Sequence, residues 1–319
     1  MKDESKLPFH PRIGDQLKLR KRATLPDGRP HVPYIYSDDL ILAVNAALAT
    51  DRPLLVRGDP GCGKSTLARD VAFSLGREYL EEVVTSRTTA ADLQWRFDAV
   101  HRLHDAAAGS DGLKPPDEYI RPGVLWRAFQ RRQGLSAVVV LLDEIDKADP
   151  DVPNDLLLPL GEGRIVVTDA VKRQVIARDR AVLVVITTNG ERELPPAFLR
   201  RCVSITLDDP SKRPELLLQI ANEHLARDYA ERAKEDPRKA GPQLTADPAL
   251  LEKLVARVAD LTNKLAFGAR RSGTAEILDA LRATISLKIS PEDPAWEVLT
   301  RVLLYKEAGN PDVKGGKAQ

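Results

Sequence analysis

The chain has 319 residues, of which 43% are hydrophobic and 30% charged, a composition typical of a globular protein. Its 48 basic and 47 acidic side chains leave a formal net charge of +1, which excludes a global attraction to nucleic acid or anionic lipid. The two cysteines, Cys62 and Cys202, are too few for a disulfide framework or a four-thiolate zinc site.

The hydrophobic residues do not form the pattern of a membrane span or of a signal peptide. No apolar run is longer than that at 137–142, which falls far short of the roughly 18 residues that cross a bilayer, and the first residues contain no signal-peptide core. We therefore expect a cytoplasmic protein with no membrane span.

The first two thirds of the chain predict an arm followed by an α/β domain. Residues 1–36 are expected to form an extended arm, because their prolines and the basic run KLRKR prevent any regular period. A helix capped by Ser37 opens a domain over 37–209, in which short apolar runs alternate with helical stretches. This alternation predicts a doubly wound, mostly parallel sheet that is buried on both faces. The runs lie at 54–56, 79–84, 138–142, 182–186 and 203–207.

The last third of the chain predicts helices only. Four helical patterns indicate a small all-helical domain over 210–308, and Asp247 followed by Pro248 marks the start of one of its helices. A disordered tail is expected at 309–319.

A phosphate-binding loop is predicted at 58–66. The segment GDPGCGKST matches G-x-x-x-x-G-K-[ST] between an apolar strand and a helix, so its N–H groups can surround phosphate oxygens at a helix N-terminus. Lys64 is expected to reach the β- and γ-phosphates, and the Ser65 hydroxyl to ligate Mg²⁺. The residues predicted to bind nucleotide here are Gly58, Asp59, Pro60, Gly61, Cys62, Gly63, Lys64, Ser65 and Thr66.

A pair of carboxylates follows the apolar strand at 138–142. In VVVLLDEID, Asp143 and Glu144 are expected at the carboxyl edge of a parallel sheet, beside the phosphate loop. Asp143 would hold Mg²⁺ through water, and Glu144 would polarise the water that attacks the nucleotide.

Together these motifs resemble those of AAA+ ATPases, and later segments follow that family's order. The resemblance implies that Asn189, at the end of VLVVITTN, is the sensor 1 residue whose amide helps to position water. It also implies an arginine finger in ELPPAFLRRC that reaches the ATP of a neighbouring subunit; Arg201 is preferred and Arg200 remains open. The resemblance implies that the helical domain at 210–308 is a lid, and that GARRSGTAEILDAL is the helix start in it that carries the sensor 2 arginine, for which we prefer Arg271 over Arg270.

Two inserted segments are similar to features of the MoxR group and its McrB-like and dynein-like relatives. Alternating residues at 164–168 and 173–177 predict a hairpin outside the main sheet, like the insertion before sensor 1. Residues 98–122 resemble an insert in the second helix, and their polar composition predicts a flexible segment that contributes little to the core.

The resemblance implies Mg²⁺-dependent ATP hydrolysis by a ring, expected to be a hexamer, that remodels or activates an unidentified partner protein. Two other functions stay open: a nucleotide-dependent switch that controls assembly of an effector, and a McrB-like NTPase motor working with a nucleic-acid-processing partner. Contact with nucleic acid would then be indirect.

Overall fold

The computed structural model describes residues 8–9, 34–107, 113–130, 137–168, 174–177, 182–207, 213–235, 244–263 and 273–304. The chain divides into two compact units. The first contains Met1–Gly58 and Gly63–Leu207, and the second contains Asp59–Cys62 and Asp208–Gln319.

The first unit is built around a parallel sheet of five strands in the order β2-β5-β8-β1-β9. Two antiparallel pairs, β3 with β4 and β6 with β7, lie outside it. The strands of the described residues are β1 (Leu54–Arg57), β2 (Glu78–Val83), β3 (Trp95–Phe97), β4 (Ile120–Pro122), β5 (Val138–Asp143), β6 (Arg164–Val167), β7 (Gln174–Ala177), β8 (Val182–Thr188) and β9 (Val203–Thr206).

Helices flank this sheet in the first unit, and the elements within the described residues of the second unit are helices. Those of the first unit are α1 (Asp38–Thr50), α2 (Lys64–Ser74), α3 (Ala90–Gln94), α4 (Ala99–Ala107), α5 (Val124–Phe129), α6 (Val152–Asp155) and α7 (Pro196–Leu199). Those of the second unit are α8 (Pro214–Glu235), α9 (Pro248–Asn263), α10 (Thr274–Leu287) and α11 (Pro294–Leu304). Across the described ranges, no helix is both long and apolar enough to cross a membrane.

The central strands are covered on both faces, as their continuous apolar runs predict. Along β5, Val138, Val140 and Leu142 enter one hydrophobic cluster, whereas Val139 and Leu141 enter another on the opposite face. The predicted fold class, a doubly wound parallel sheet followed by a helical C-terminal region, is therefore confirmed.

Two local predictions about helix starts are also confirmed. The Ser37 hydroxyl accepts a hydrogen bond from the Leu40 N–H at 3.3 Å, and thereby caps α1. Asp247 accepts from the Ala249 N–H at 3.0 Å at the start of α9, where Pro248 is the first helical residue.

The predicted hairpin outside the main sheet is confirmed by β6 and β7, which pair from Arg164↔Ala177 to Val167↔Gln174. The prediction for residues 98–122 is wrong where the structure describes them. Strand β4 pairs with β3, and the Tyr119 side chain before it is completely buried. Its hydroxyl donates to Asp105 at 2.9 Å and accepts from the Lys114 N–H, so it links α4 to the later residues of the same segment. The polar composition of this segment gave no indication that its tyrosine is buried.

Part of the predicted arm packs into the core of the first unit. Only Pro8, Phe9 and residues 34–36 of the range 1–36 are described. Phe9 is 0% exposed, its ring lies edge-on to Tyr36, and Asn45 bonds both its N–H and its C=O at 3.0 Å. The predicted boundary at residue 37 thus excludes residues that belong to this core. The tail predicted at 309–319 lies outside the described residues.

The helices of the second unit share a hydrophobic core, and a partly buried histidine, His224, lies beside it. Leu225 of α8 belongs to this core, together with residues of α9, α10 and α11. His224, beside it, accepts a hydrogen bond at Nδ1 from Arg282 at 2.8 Å, and Arg282 also pairs with Asp228. Burial, followed by the charges of Arg227 and Arg282, lowers the pKa of His224 to about 4.

The lowered pKa of His224 predicts that the second unit loses stability in mild acid. Between the ordinary histidine pKa of 6.5 and the folded value of about 4, the unfolded chain binds a proton that the folded unit does not. The unfolding free energy of the unit should therefore fall as the pH drops through this range, by up to about 1.4 kcal/mol per pH unit. We expect His224→Gln to flatten this dependence, because glutamine keeps an acceptor without titrating.

Hydrogen exchange of peptides from α8 and α10, followed by mass spectrometry at several pH values, measures the effect. His104→Gln is the matched control, because the His104 side chain is 83% exposed in the first unit. Equal pH slopes in the wild type and in His224→Gln would contradict the prediction.

Candidate active site

The predicted phosphate loop joins β1 to α2 with a backbone that only glycine adopts readily. Gly61 and Gly63 have φ angles of 80° and 95°, in the left-handed region. Gly63 occupies the N-cap position of α2, and no side chain caps the helix there. The helix N-terminus can therefore attract an anion, as the motif predicts.

An aromatic segment before α1 packs on this loop. The Tyr34 ring lies so close to Gly63 that a side-chain carbon at Gly63 would approach it to 3.2 Å. The Tyr36 hydroxyl donates to Asp70 of α2 at 2.5 Å. These tyrosines brace the loop, and sequence reasoning missed them; the aromatic run PYIY at 33–36 was the available signal.

The side chain of Lys64 is buried at the beginning of α2. Its ammonium donates to the Gly58 carbonyl at 2.8 Å and to Asn189 Oδ1 at 2.7 Å. The structure thus places the predicted phosphate-binding lysine in contact with the predicted sensor 1 residue, 125 positions away in the chain.

Ser65 and Asp143 are adjacent, as a shared metal site requires. The Ser65 hydroxyl lies 2.9 and 3.1 Å from the two carboxylate oxygens of Asp143. A hydroxyl and a carboxylate are hard oxygen ligands of the type that Mg²⁺ prefers, together with water and phosphate oxygens. These two residues could therefore hold the ion.

The backbone of Glu144 is held in position by the hydrogen bond that its N–H group donates. Its backbone is left-handed, with φ 60° and ψ 49°, a conformation that costs a non-glycine residue roughly 1–2 kcal/mol. Its N–H donates to the hydroxyl of Thr187 at 2.8 Å, and that hydroxyl donates to Asp143. Thr187 therefore braces both acidic residues at the end of β5.

The carboxylate of Glu144 contacts one amide and one ammonium group. Asn189 Nδ2 donates to Oε1 at 3.1 Å, and Lys147 Nζ donates to Oε2 at 2.6 Å. Burial alone would raise the pKa of Glu144, but the hydrogen bonds from Lys147 and Asn189, with the lysine charge, hold the pKa below its ordinary value. Glu144 is therefore ionised at neutral pH.

Asp146 fixes the turn that carries Asn189. It is 3% exposed, and its Oδ2 accepts from the N–H groups of Asn189 at 3.2 Å and Glu191 at 2.9 Å. Sequence reasoning missed Asp146, Lys147 and Thr187. Asp146 and Lys147 follow the acidic pair after one intervening residue, and Thr187 is the first of two threonines that end an otherwise apolar strand, which were the available signals.

The predicted finger arginines lie after α7 and are exposed. Among the described contacts of Arg201, its guanidinium donates to the Ala197 carbonyl at 3.1 Å and its side chain lies against Gly161. The Arg200 carbonyl accepts from Arg52 at 2.6 Å. None of these contacts involves the phosphate loop of the same chain. Arg270 and Arg271, the sensor 2 candidates, lie outside the described residues.

The remaining loop residues differ in exposure. Cys62 is buried, whereas Asp59, Gly61 and Thr66 are exposed and Pro60 is half-buried.

Comparison with known families matches this region of the chain. Residues 53–202, which include β1, the phosphate loop, the acidic pair, Asn189 and both finger candidates, match the family described as the AAA domain of the dynein-related subfamily. This segment is an AAA domain. The resemblance to AAA+ ATPases predicted from the motifs is thereby confirmed.

Curated relatives extend the match in sequence. Protein NorQ of Paracoccus denitrificans is 27% identical over 199 residues, which cover 61% of this chain and 67% of NorQ. The chaperone protein ClpB of Propionibacterium freudenreichii is 32% identical over 200 residues, covering 55% of this chain and 21% of ClpB. The AAA-containing chain thus spans about two thirds of NorQ and about a fifth of ClpB.

Two solved structures match the chain at low sequence identity. A RuvB mutant of Thermotoga maritima is 19% identical, with a TM-score of 0.38, and the match covers 81% of this chain and 72% of RuvB. NtrX from Brucella abortus, in complex with ADP, is 16% identical with a TM-score of 0.47, covering 85% of this chain and 54% of NtrX.

Proposed function

We propose that this chain hydrolyses ATP with Mg²⁺ as one subunit of a ring, a hexamer by family resemblance, and that turnover remodels or activates a partner protein in the manner of MoxR-like chaperones. The observation that carries the proposal is the convergence of Lys64, Asn189 and Glu144 beside Ser65 and Asp143. Phosphate binding, metal binding and water activation need these groups together.

Each group has a distinct role in this reaction. Lys64 supplies positive charge to the β- and γ-phosphates after leaving the Gly58 carbonyl. Ser65, and Asp143 through water, would hold Mg²⁺, which would offset the negative charge of the phosphates.

The attack on the γ-phosphate depends on Glu144 and Asn189. The ionised carboxylate orients the attacking water and accepts its proton, and the Asn189 amide fixes that carboxylate from the side of Oε1. Because Asp146 bonds two N–H groups of the turn after β8, Asn189 keeps its position while the substrate enters.

Assembly into a ring is supported by the exposed finger candidates. Arg201 contacts Ala197 and Gly161 rather than the phosphate loop of its own chain, so it is available to a neighbouring nucleotide. In a ring, an arginine of the next subunit would add positive charge near the γ-phosphate.

We expect ATP with Mg²⁺ to drive association of the Glu144→Gln protein, because bound nucleotide would add contacts that exist only between subunits. Light scattering with and without ATP measures the change in mass, and Lys64→Ala, which should not hold ATP, is the matched control. A monomer at micromolar concentration under saturating ATP would contradict ring formation and favour a self-contained P-loop enzyme.

Turnover by the wild-type protein separates the chaperone role from the two alternatives. Phosphate release is measured with ATP or GTP, alone, with DNA, and with each protein encoded beside the gene. Stimulation by a protein partner supports remodelling, stimulation by DNA with GTP supports the McrB-like motor, and assembly of an effector without continued turnover supports the switch. We propose a cytoplasmic location, which fits a chain with only two cysteines.

A further inference from the structure

Four side chains of the site form one continuous chain of contacts. Lys64 donates to Asn189, Asn189 donates to Glu144, and Lys147 donates to the other oxygen of Glu144. Asn189 and Lys64 are parts of the proposed machinery. Lys147 has no assigned role, and it makes the shortest of these contacts, at 2.6 Å.

The local backbone explains why Lys147 reaches this carboxylate. Glu144 lies in a left-handed conformation immediately before the 3₁₀ turn Ile145–Lys147, and the Lys147 N–H donates to the Glu144 carbonyl at 3.0 Å. The turn therefore returns the lysine side chain to the residue three positions earlier.

The two partners differ in their access to solvent. The Lys147 side chain is 41% exposed and that of Glu144 27%. An ammonium group at this distance occupies the side of Oε2 where a water molecule would otherwise bind, and its attraction opposes rotation of the carboxylate. The lysine can move into solvent, whereas Glu144 remains fixed by its backbone bond to Thr187.

We propose that Lys147 is a brake on turnover, which holds the Glu144 carboxylate in a resting pair and must release it before Glu144 can activate water. This inference rests on the proposed function, because it assigns Lys147 a role at the same site. Lys147 is a positioning residue in this scheme, since it acts on the reaction through Glu144.

The exposure of the pair limits the size of the effect. Partly exposed ion pairs contribute about 0.2–1 kcal/mol, so release should change the rate by no more than about fivefold. The direction of the change in kcat tests the proposal better than its size does. A lysine that merely orients Glu144 for catalysis would lower kcat when removed, whereas a brake raises it.

The experiment compares steady-state ATP hydrolysis by the full-length wild type, Lys147→Met and Lys147→Arg. Methionine keeps much of the side-chain length without the charge, and arginine keeps the charge. We expect kcat of Lys147→Met to rise about two- to fivefold with KM changed by less than about twofold, and Lys147→Arg to resemble the wild type. Lys253→Met is the matched control, because Lys253 forms an exposed pair with Glu292 in the second unit.

A double variant tests whether the increase in kcat depends on the Glu144 carboxylate. In the Glu144→Gln background, Lys147→Met should give no increase, since no carboxylate remains to be released. An unchanged or lower kcat in Lys147→Met, with wild-type thermal stability and ATP affinity, would overturn the brake. An equal increase in the double variant would also overturn it. If neither the wild type nor Lys147→Met hydrolyses ATP, the proposed function itself fails; normal wild-type turnover with no gain in Lys147→Met refutes the brake alone.

Discussion

Lys64→Ala is expected to abolish ATP binding, whereas Glu144→Gln is expected to keep binding and lose turnover. The first change removes a buried ammonium group that lies within 2.8 Å of Gly58 and Asn189 and would contact the phosphates. Losing one partner of a buried charged pair costs about 2–5 kcal/mol, which corresponds to a loss of affinity of at least about 30-fold. The second change removes only the group that accepts a proton from water.

The glutamine variant should hydrolyse ATP about 10²–10⁴-fold more slowly, the range that general bases contribute. Its amide still bonds Asn189 or Lys147, so the site should keep its shape. Binding of a fluorescent ATP analogue and release of phosphate measure the two properties separately.

Two substitutions in the second unit serve as matched controls. Lys253→Ala and Glu292→Gln change the same residue types in an exposed ion pair, and neither should alter binding or turnover. Near-normal ATPase rates in both Lys64→Ala and Glu144→Gln would show that the active site is assigned wrongly.

Arg201→Ala is expected to bind ATP almost normally and to hydrolyse it about 10³–10⁵-fold more slowly, the range known for arginine fingers. The expected cause is the loss of positive charge near the γ-phosphate of a neighbouring subunit. The exposed guanidinium lies over Gly161 and donates to the Ala197 carbonyl, so no buried network should collapse when it is removed.

Mixing two inactive proteins tests whether this arginine acts in trans. Lys64→Ala cannot hold ATP but still presents Arg201, and Arg201→Ala has the opposite defect. Subunits mixed before assembly should regain part of the ATPase rate, because some interfaces pair an intact pocket with an intact finger.

Arg200→Ala, tested in the same mixtures, distinguishes the two neighbouring candidates. If mixed rings form and remain as inactive as their parents, Arg201 does not act in trans and Arg200 becomes the candidate. Rescue by both mixtures would show that the two arginines share the role.

Much of the fold was predictable because its signals are local. The apolar runs of β5 and β8 predicted strands covered on both faces, and Ser37 and Asp247 marked helix starts through bonds that span only a few residues. The phosphate loop was equally predictable, since its glycines and Lys64 are adjacent in sequence and act through one short turn.

The sequence by itself determined which residue types reach the carboxyl edge of the sheet, but tertiary structure decided how they contact one another. Thr187 braces Asp143 and Glu144, and Asp146 holds the turn of Asn189, only because β5 and β8 pair in the register Leu142↔Ile186. Shifting one strand by a single residue would turn these side chains to the opposite face.

Contacts between distant segments escaped prediction for the same reason. Phe9 packs on the first unit through Asn45, and Tyr119 is buried where β4 pairs with β3, yet both lie in stretches with no regular period. Composition and periodicity describe each segment alone, whereas burial depends on which surface the folded chain presents to it. Sequence therefore determined the chemistry of this protein and its main elements, and packing decided which side chains support that chemistry.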